Sequence, residues 1–452
     1  MAITRIFDMS QRSLATYQKA LDVTAHNVAN ASNPDYARQK VDLTTVSPDM
    51  VGDYSLGAGV KIDQISRVKD EYLERTILEN NSKYYANDKK ATLMQRMEGY
   101  FMELTGAGIS DSLNEFFNSW SELSSSPTSL PLRNNILTSA EHLTTVVSDF
   151  NDNVDSMRSE VFDEFNQGVD ELNQNLKNLY EINLKIAESK ATKVGINDLM
   201  DQRDKIVQAM SKLGNLTIHY MDDGVANVSV GGIPASNSYG ATEFKIGIVD
   251  DKLTLVTTDD GNGAMLKGGE LSALSEVFSS SLLKAKNDFN GMIQSMAEAV
   301  NGEHVNGRTI TDPPVTNIEF FTTYENGDLK INSEILEDPS LIAASITNTD
   351  GNGDNAIRIA ELIDKKLYKN KSISDSYSSL VSSIGNEAKL AENLAEANQL
   401  VLGQLESRRS EISAVSVDEE MTNILKYQRS YDASAKLIKV ADELLQTILN
   451  LV

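Results

Sequence analysis

The sequence predicts a mainly α-helical protein with an inserted β-rich domain, in which the N- and C-terminal segments form a long helical bundle or coiled-coil core. Three observations support this fold class. Apolar residues recur at helical spacing near both ends and through a long central stretch. Short segments of strand character, joined by turn sequences, are concentrated in residues 214–269 and 305–354. A chain of 452 residues also exceeds the size of a single hydrophobic core, so we expect several domains.

The first predicted element is a helix with a heptad seam, softened by two small hydroxyl residues. Its members are Ile3, Phe7, Ser10, Leu14, Tyr17, Leu21, Thr24 and Val28. The helix should stop within residues 30–34, because the residue before Pro34 is driven out of the α region. Pro34 and Asp35 suit the middle of a type I turn, and residues 36–45 are predicted to be extended.

Three helical patterns follow in the first half of the chain. They run from about Val68 past Leu104, from Ser110 to Leu123, and from Leu130 to about Gly195. The serine- and proline-rich residues 124–129 separate the second pattern from the third. The third pattern carries one wide apolar stripe, formed by Val161, Phe165, Val169, Leu172, Leu176, Leu179 and Ile186.

Three hairpins are predicted in the β-rich regions. Their turns are Asp222-Asp223-Gly224, Asp250-Asp251 and Asn326-Gly327, the last being the strongest short hairpin signal. The strands are predicted at residues 216–221, 225–230, 244–249, 253–257 and within 320–331. A helix from about Leu271 to Asn301 separates the two regions.

The sequence after Asp354 is predicted to be helical almost to its end, and the last segment is apolar on two faces. The first stripe is Met421, Ile424, Tyr431, Ala435, Ile438, Leu445, Leu449 and Val452, and the second is Leu437, Ala441, Leu444, Ile448 and Leu451. Chain ends are usually polar. Pairing with the N-terminal helix would cover one stripe, so we expect neighbouring subunits of a polymer to cover the other.

Composition removes several classes of function. A net charge of −25 repels nucleic acid and anionic lipid, so we expect protein partners, with no nucleic acid and no membrane. The absence of cysteine excludes disulfides, thiolate catalysis and cysteine-based zinc sites. The sequence contains no cleavable signal, no membrane-spanning run and no catalytic or phosphate-binding motif. We therefore predict a protein that is not an enzyme and has no cofactor and no metal.

Residues 20–39, Ala-Leu-Asp-Val-Thr-Ala-His-Asn-Val-Ala-Asn-Ala-Ser-Asn-Pro-Asp-Tyr-Ala-Arg-Gln, point to a family. They resemble the N-terminal signature of bacterial flagellar rod, hook and hook-associated proteins, in which a helix ends in an asparagine-rich motif and a Pro-Gly-Tyr turn. Asp35 stands where that family commonly has glycine. A type II turn would be strained there, which is why a type I turn is expected.

Further matches, in order along nearly the whole chain, are similar to the first hook-associated protein family of the hook-filament junction. They are Ser125-Ser126-Pro127-Thr128 with Arg133, Leu199-Met200-Asp201-Gln202-Arg203-Asp204, Val230-Gly231-Gly232, Gly268-Gly269-Glu270-Leu271, Val300-Asn301 with His304, Asp338-Pro339 with Ile342-Ala343-Ala344-Ser345, and Val417-Asp418-Glu419-Glu420 with Tyr427-Gln428, Tyr431 and Ala433-Ser434-Ala435. The β-rich part is small, which suggests a reduced outer region.

The resemblance implies a structural flagellar subunit that joins hook to filament. It would be cytoplasmic before export, leave unfolded through the flagellar type III apparatus, and become extracellular in the flagellum. Its implied partners are the hook protein, the third hook-associated protein, further copies of itself in a ring-like assembly, and an export chaperone at the C-terminal helix.

We expect three domains and one assembly interface. Residues 1–40 with 415–452 would form a terminal coiled-coil polymerisation domain, residues 41–213 with 270–304 and 355–414 a helical bundle domain, and residues 214–269 with 305–354 a β-rich outer domain. The predicted interface residues are Ile3, Phe7, Leu14, Tyr17, Leu21, Val28, Met421, Ile424, Tyr431, Ile438, Leu445 and Leu449.

Two alternatives remain open at the level of the sequence. One is another axial flagellar subunit, of rod, hook or filament type. The other is a calcium-dependent secreted adhesin, because Asp350 to Asn355 with Glu361 has the acidic spacing of a calcium loop, although Asn355 stands where that loop requires glycine. The competing interpretation of this segment is a surface turn in which Asp354 or Asn355 caps the next helix.

Overall fold

The computed structural model describes residues 2–51, 54–101, 108–192, 195–221, 223–250, 252–325, 327–347 and 351–449. The α-helices are α1 (Ala2–Ala29), α2 (Glu71–Phe101), α3 (Ile109–Ser125), α4 (Leu130–Thr192), α5 (Ile196–Leu213), α6 (Glu270–Glu276), α7 (Leu282–His304), α8 (Ser333–Glu337), α9 (Asp354–Ala360), α10 (Ile373–Ser413) and α11 (Val417–Leu449). A π-helical turn, Val277–Ser281, joins α6 to α7, and 3-10 turns occupy Pro339–Leu341 and Glu361–Asp364.

The β-strands are short and antiparallel. They are β1 (Gln39–Thr45), β2 (Asp49–Val51), β3 (Tyr54–Leu56), β4 (Val60–Arg67), β5 (Leu216–Tyr220), β6 (Ala226–Val230), β7 (Ile233–Ser236), β8 (Phe244–Val249), β9 (Lys252–Thr257), β10 (Phe321–Glu325) and β11 (Asp328–Ile331). They pair as β1-β4, β2-β3, β5-β6-β7, β8-β9 and β10-β11. The predicted class, mainly α with inserted β structure, is confirmed.

The chain separates into two compact units. Unit 1 comprises Met1–Asn81, Leu172–Glu243 and Asn398–Val452, and unit 2 comprises Ser82–Glu171 and Phe244–Ala397. Unit 1 therefore contains both terminal helices together with sheets β1-β4, β2-β3 and β5-β6-β7. Unit 2 contains α3, α6 to α9 and the two remaining hairpins.

The start of unit 1 follows the predicted helix and turn. α1 ends at Ala29, and the carbonyl of Asn33 accepts from the Tyr36 backbone N–H at 3.2 Å across the turn. Asp35 has no positive φ, which a type II turn would require, so a type II turn is excluded, as expected from the side chain at this position. α2 begins three residues later than predicted, because the Asp70 carboxylate accepts from the N–H groups of Tyr72 and Leu73 and caps the helix.

The sequence did not predict β2, β3, β4 or β7. In β4, Ile62 and Ile65 are three residues apart, so the segment lacks the strict alternation of a half-buried strand. The structure gives the reason: the register with β1 shifts between Asp42 and Leu43, which are paired with Gln64 and Ile62. The resulting bulge places one extra residue in β4 and hides the strand periodicity.

The predicted hairpins are confirmed at β5-β6, β8-β9 and β10-β11. Gly224 and Gly327 take positive φ in the first and third turns, as such turns require. Three of the predicted turn residues, Asp222, Asp251 and Asn326, lie outside the described residues.

The core of unit 2 is aromatic where α3 meets the segment that leads into β10. Phe116, Phe117 and Trp120 of α3 are buried, as are Phe320 and Phe321. The ring centroids of Trp120 and Phe320 lie 5.4 Å apart in an edge-to-face arrangement. The single tryptophan of the sequence is therefore a core residue.

Arg133 is buried in unit 2 and is bonded entirely through backbone carbonyls. Its guanidinium donates to the Pro127 carbonyl at 2.7 and 2.9 Å and to the Ile342 carbonyl at 2.6 Å. Burial lowers the pKa of Arg133 to about 10, so the group remains charged at neutral pH. It joins the serine-proline break to the segment around Pro339, two of the motifs quoted from the sequence.

The prediction of continuous helix after Asp354 is wrong at two places. Residues 365–372 form a turn in which Lys369 and Asn370 take φ values of 43° and 60°, and residues 414–416 separate α10 from α11. Neither break contains glycine or proline, so neither carries the usual sequence signal of a helix end.

Candidate assembly site

The two terminal helices pack against each other in unit 1 and run antiparallel. The rings of Tyr17 and Tyr427 stack with centroids 6.5 Å apart. Nearer the end of α1 and the start of α11, Asn27 holds Gln39, and the neighbouring Arg38 pairs with Glu420. The C-terminal end of α1 therefore lies beside the N-terminal end of α11.

The most deeply buried side chains of the two helices are small or polar, and Thr16 among them bonds Val60 of β4. Ser10, Thr16, Ala20 and Thr24 are buried on α1, and Glu420, Ser434 and Ala441 are buried on α11. The Thr16 and Thr24 hydroxyls donate to carbonyls four residues earlier in α1, at 2.8 Å each, so burial leaves them bonded. Residues of this size allow two helices to approach closely.

None of the large apolar residues predicted at the interface is fully buried, among those whose side chains the structure describes. Partly buried are Ile3, Leu14, Tyr17, Leu21, Val28, Ile424, Tyr431 and Ile438. Exposed are Phe7, Met421 and Leu445. The side chain of Leu449, like all of Val452, lies outside what the structure describes. After pairing with α1, the described side chains of the predicted first stripe of α11 therefore remain partly or largely exposed.

A second apolar face of α11 is uncovered. Leu437, Val440, Leu444 and Ile448 are each about half exposed and recur at steps of three and four. Ala441, which the sequence placed on this second stripe, is instead fully buried. Of the predicted second stripe, Leu437, Leu444 and Ile448 are thus exposed, Val440 lies beside them, and Leu451 lies outside the described residues.

The lengths of the two helices explain part of this exposure. Ala2 is about 22 Å along α1 from Tyr17, whereas Ile448 is about 31 Å along α11 from Tyr427, at about 1.5 Å per residue. The two tyrosines are in register. The last turns of α11, around Leu444 and Ile448, consequently extend about 9 Å beyond the described part of α1.

Residues 27–39 anchor the end of α1. The Asn27 side-chain oxygen accepts from the Tyr36 hydroxyl at 2.7 Å and from the Gln39 N–H at 3.0 Å, while its amide donates to the Gln39 carbonyl at 2.8 Å. The Tyr36 hydroxyl also lies 3.2 Å from His26 Nδ1. Gln39 in turn donates to Asp198 of α5 at 3.1 Å. The asparagine-rich motif is therefore a hydrogen-bonded joint between α1, β1 and α5.

Arg38 connects this joint to α11. Its guanidinium donates to Glu420 at 2.7 Å and to Glu419 at 2.8 and 3.1 Å, and its backbone N–H donates to the Ser413 carbonyl at 3.0 Å. Burial opposes the charge of Arg38, but hydrogen bonds to the two glutamates outweigh this and raise its pKa. Arg38 thus bonds α10 through its backbone and α11 through its side chain, and it holds the break between these helices next to the end of α1.

A buried ionic cluster supports the same joint. Arg67 of β4 donates to Asp201 at 2.7 Å and to Asp204 at 2.8 Å, and Lys69 and Arg203 also contact Asp204. Burial opposes ionisation of Asp204, but these three cations hold its pKa below the usual range. Burial raises the pKa of Asp201 to about 6, against the attraction of Arg67. The cluster ties α5 to the strand that packs on α1.

The sequence named these joint residues only as signature positions. Asn27, Tyr36, Arg38 and Glu420 lay inside quoted motifs, but nothing in their spacing showed which pairs would meet. The predicted interface list therefore missed the polar residues that hold the two helices together.

The calcium-loop alternative gains no support from the described residues. Asp350 lies outside them, and no group of three or more potential metal ligands occurs among the residues that are described. The capping interpretation is also wrong in detail, because Gly353 stands at the N-cap of α9 and no side chain caps it. The Asn355 amide instead donates to the buried Ala343 carbonyl at 2.7 Å. Within the described ranges, no helix is long and apolar enough to cross a bilayer.

Comparison with known proteins agrees with the signature motifs. Residues 94–321, half of the chain, match the family model for the flagellar hook-associated protein FlgK helical domain. Residues 406–451, which include α11, match the model for the flagellar basal body rod FlgEFG protein C-terminal.

Two relatives are similar in sequence to this chain over almost the whole length of both proteins. Flagellar hook-associated protein 1 of Bacillus subtilis (strain 168) is 28% identical over 501 aligned residues, covering 98% of this chain and 97% of the relative. The protein of that name from Salmonella typhimurium is 20% identical, covering 99% of this chain and 100% of the relative.

A solved structure has a similar fold. The flagellar hook junction protein FlgK from Burkholderia pseudomallei has a TM-score of 0.64 at 13% identity, covering 75% of this chain and 100% of that one. At this identity the likeness concerns the fold alone. With the family model spanning half the sequence, the chain belongs to the FlgK family of flagellar hook-associated proteins and is a structural subunit of the bacterial flagellum, not an enzyme.

Proposed function

We propose that this chain joins hook to filament and assembles there through α1 and α11 after unfolded export by the flagellar type III apparatus. Its proposed partners are the hook protein, the third hook-associated protein and further copies of itself in a ring-like assembly. An export chaperone would hold the C-terminal helix in the cytoplasm. The proposed contact residues are those predicted from the sequence, extended by Leu437, Val440, Leu444 and Ile448.

The exposed apolar face of α11 carries the proposal. Leu437, Val440, Leu444 and Ile448 present a continuous strip that α1 leaves uncovered. Fully burying an exposed leucine-sized side chain contributes about 1.5 to 3 kcal/mol. Because these four side chains are each about half exposed, covering each one would contribute roughly half of that, and together they favour association. The chaperone would cover this strip before export, and a neighbouring subunit would cover it after assembly.

The charge distribution favours contact between copies at the terminal helices. α1 carries three basic and two acidic residues, and α11 carries four basic and six acidic residues. Almost all of the net charge of −25 therefore belongs to the rest of the chain. Like charge keeps copies apart over most of their surface, whereas the near-neutral helices can approach one another.

The three-domain division of the sequence becomes part of this proposal. Residues 1–40 with 415–452 would polymerise, residues 41–213 with 270–304 and 355–414 would form the supporting bundle, and residues 214–269 with 305–354 would face outward. The absence of cysteine is compatible with passage through a narrow export channel, because no disulfide has to be reduced first.

Leu444→Asp tests the proposal, with Gln446→Asp as the matched control. Leu444 lies in the exposed apolar strip, whereas Gln446 is two residues away on a different side of α11 and bonds Asp442. Placing a carboxylate in a buried subunit contact costs several kcal/mol. We expect chain carrying Leu444→Asp to be exported but absent from flagella, while Gln446→Asp is incorporated normally.

The readouts are immunogold labelling of flagella and swimming in soft agar, in a strain whose own copy of the gene is deleted. Circular dichroism of the purified variants checks that both monomers fold. Incorporation of the Leu444→Asp chain at the wild-type level would contradict assembly through this face.

A further inference from the structure

The hairpin β2-β3 is an exposed apolar arm at the end of the β1-β4 ladder. Its register pairs Met50 with Ser55 and Val51 with Tyr54. Met50 and Tyr54 are 72% and 74% exposed, and Leu56 is also exposed. A hairpin of two three-residue strands buries too little to be stable alone, so these side chains serve no evident purpose within one chain.

The ladder carries this arm toward the N-terminal end of α1. Gln39, where β1 begins, is bonded to Asn27, while the carbonyl of Val60, where β4 begins, accepts from Thr16 at 3.2 Å. Gly59, one residue further toward the arm, lies against Met9. Contacts therefore move from residue 27 to residue 9 of α1 as the ladder approaches the arm.

The uncovered end of α11 lies at this same end of unit 1. Because α11 runs antiparallel to α1, its last turns extend past the N-terminal end of the described part of α1. Leu444 and Ile448 are about half exposed there, and Met50 and Tyr54 are exposed as well, so the arm does not cover these residues in the same chain. Two apolar surfaces of one molecule thus lie near the same end without burying each other.

We propose that the β2-β3 arm of one copy packs on the overhanging end of α11 of a neighbouring copy. In such a contact the arm of one copy is bound while its own α11 end stays free to bind the arm of the next copy. The contact therefore builds a ring or a helix and not a closed pair. The sequence of the arm, residues 46–58, contains two aspartates and no basic residue. On α11 the exposed Lys436 and Lys439 lie before the overhanging end, whereas Asp442 and Glu443 lie next to Leu444. Apolar side chains, and not charge, therefore carry the proposed contact.

This inference rests on the proposed assembly through α11 and adds its partner surface. The test uses the absence of native cysteine. Two single-cysteine chains, Tyr54→Cys and Leu444→Cys, carry tags of different mass and are produced together in cells that lack the native copy. Isolated flagella are oxidised, and disulfide-linked heterodimers are measured on a non-reducing gel.

The matched control replaces Tyr54→Cys by Tyr239→Cys, since Tyr239 is 92% exposed and belongs to the same unit. A disulfide forms only when the two Cα atoms come within about 7 Å, so we expect at least about five-fold more heterodimer with Tyr54→Cys than with Tyr239→Cys. Equal yields from the two pairs would overturn the inference.

Failure of this inference and failure of the proposed function give different results. If both single-cysteine chains enter flagella but the Tyr54 and Leu444 positions do not crosslink, the arm does not contact α11 and assembly through α11 stands. If Leu444→Asp chain enters flagella normally, the α11 face itself is not an assembly surface, and the inference falls with it.

Discussion

At the scale of single residues, the quoted sequence motifs act as bridges between segments distant in the chain. Asn27 joins α1 to β1, Arg38 joins the same joint to α11, and Arg133 joins two loops of unit 2. His304 is a buried bridging residue with a titratable ring. Its Nδ1 lies 2.7 Å from the Ile318 carbonyl, and its Nε2 accepts from the Ala343 N–H at 2.9 Å.

These two bonds require a neutral ring with its proton on Nδ1, and they make unit 2 sensitive to acid. Burial lowers the pKa of His304 to about 4, and the nearby Arg133 cation acts in the same direction. The unfolded chain binds the proton with a pKa of about 6.5, so the contribution of His304 is complete above that pH and is lost as pH falls toward 4. The full loss is about 3 kcal/mol.

We therefore expect the unfolding free energy of the wild-type chain to fall between pH 6.5 and 4 more steeply than that of His304→Gln, which has no titrating ring. Fluorescence of the single tryptophan, Trp120, reports on unit 2 because its ring lies 6.0 Å from His304. His142→Gln, at a partly exposed position on α4, is the substitution control. Parallel curves for wild type and His304→Gln would refute the assignment.

At the scale of elements, one glycine lies where the β1-β4 ladder packs closely on α1. Gly59 has φ of +98°, and a Cβ atom there would lie 2.9 Å from Met9 Cγ. Gly57, two residues earlier in the same loop, has no heavy atom within 4 Å of its ideal Cβ position. The two glycines provide a matched pair.

Gly59→Ala is expected to lower the free energy of unfolding of unit 1 by about 1 to 2 kcal/mol, from left-handed backbone strain and contact with Met9. Gly57→Ala should change it by only a few tenths of a kcal/mol. Urea denaturation followed by circular dichroism measures both. A loss for Gly57→Ala as large as that for Gly59→Ala would show that the loop as a whole, and not the contact with α1, determines stability.

Elements with a regular apolar period could be predicted from the sequence, and the others could not. The stripe of α4 from Val161 to Ile186 is buried throughout, as its spacing indicated. β4 was hidden by the bulge at its centre, and the turn at Lys369 and Asn370 by the lack of glycine or proline. The same holds for the candidate site. Its apolar stripes could be predicted from the residue spacing. The contact of Arg38 with Glu420 could not, because these residues are distant in the sequence and meet only in the folded chain.

At the scale of the whole molecule, the net charge of −25 opposes association, whereas the exposed apolar strip of α11 would favour it under the proposed assembly. Salt screens the repulsion between distant charges but leaves apolar contact intact, since the Debye length falls from about 30 Å at 0.01 M to about 3 Å at 1 M. We expect self-association of the concentrated chain, measured by sedimentation velocity, to strengthen as sodium chloride is raised. The Leu444→Asp chain should show a much smaller increase, and association that weakens with salt would indicate ion pairs as its main cause.

The stacking of Tyr17 on Tyr427 also has a kinetic consequence. The contact closes a loop of about 400 residues, and the entropy of closing so long an unstructured loop costs roughly 5 kcal/mol. Folding of the intervening units shortens that loop, so the helix pair should be the last part of the chain to form. During synthesis, α1 therefore has to remain without its partner helix until the C-terminal segment of the chain has been made.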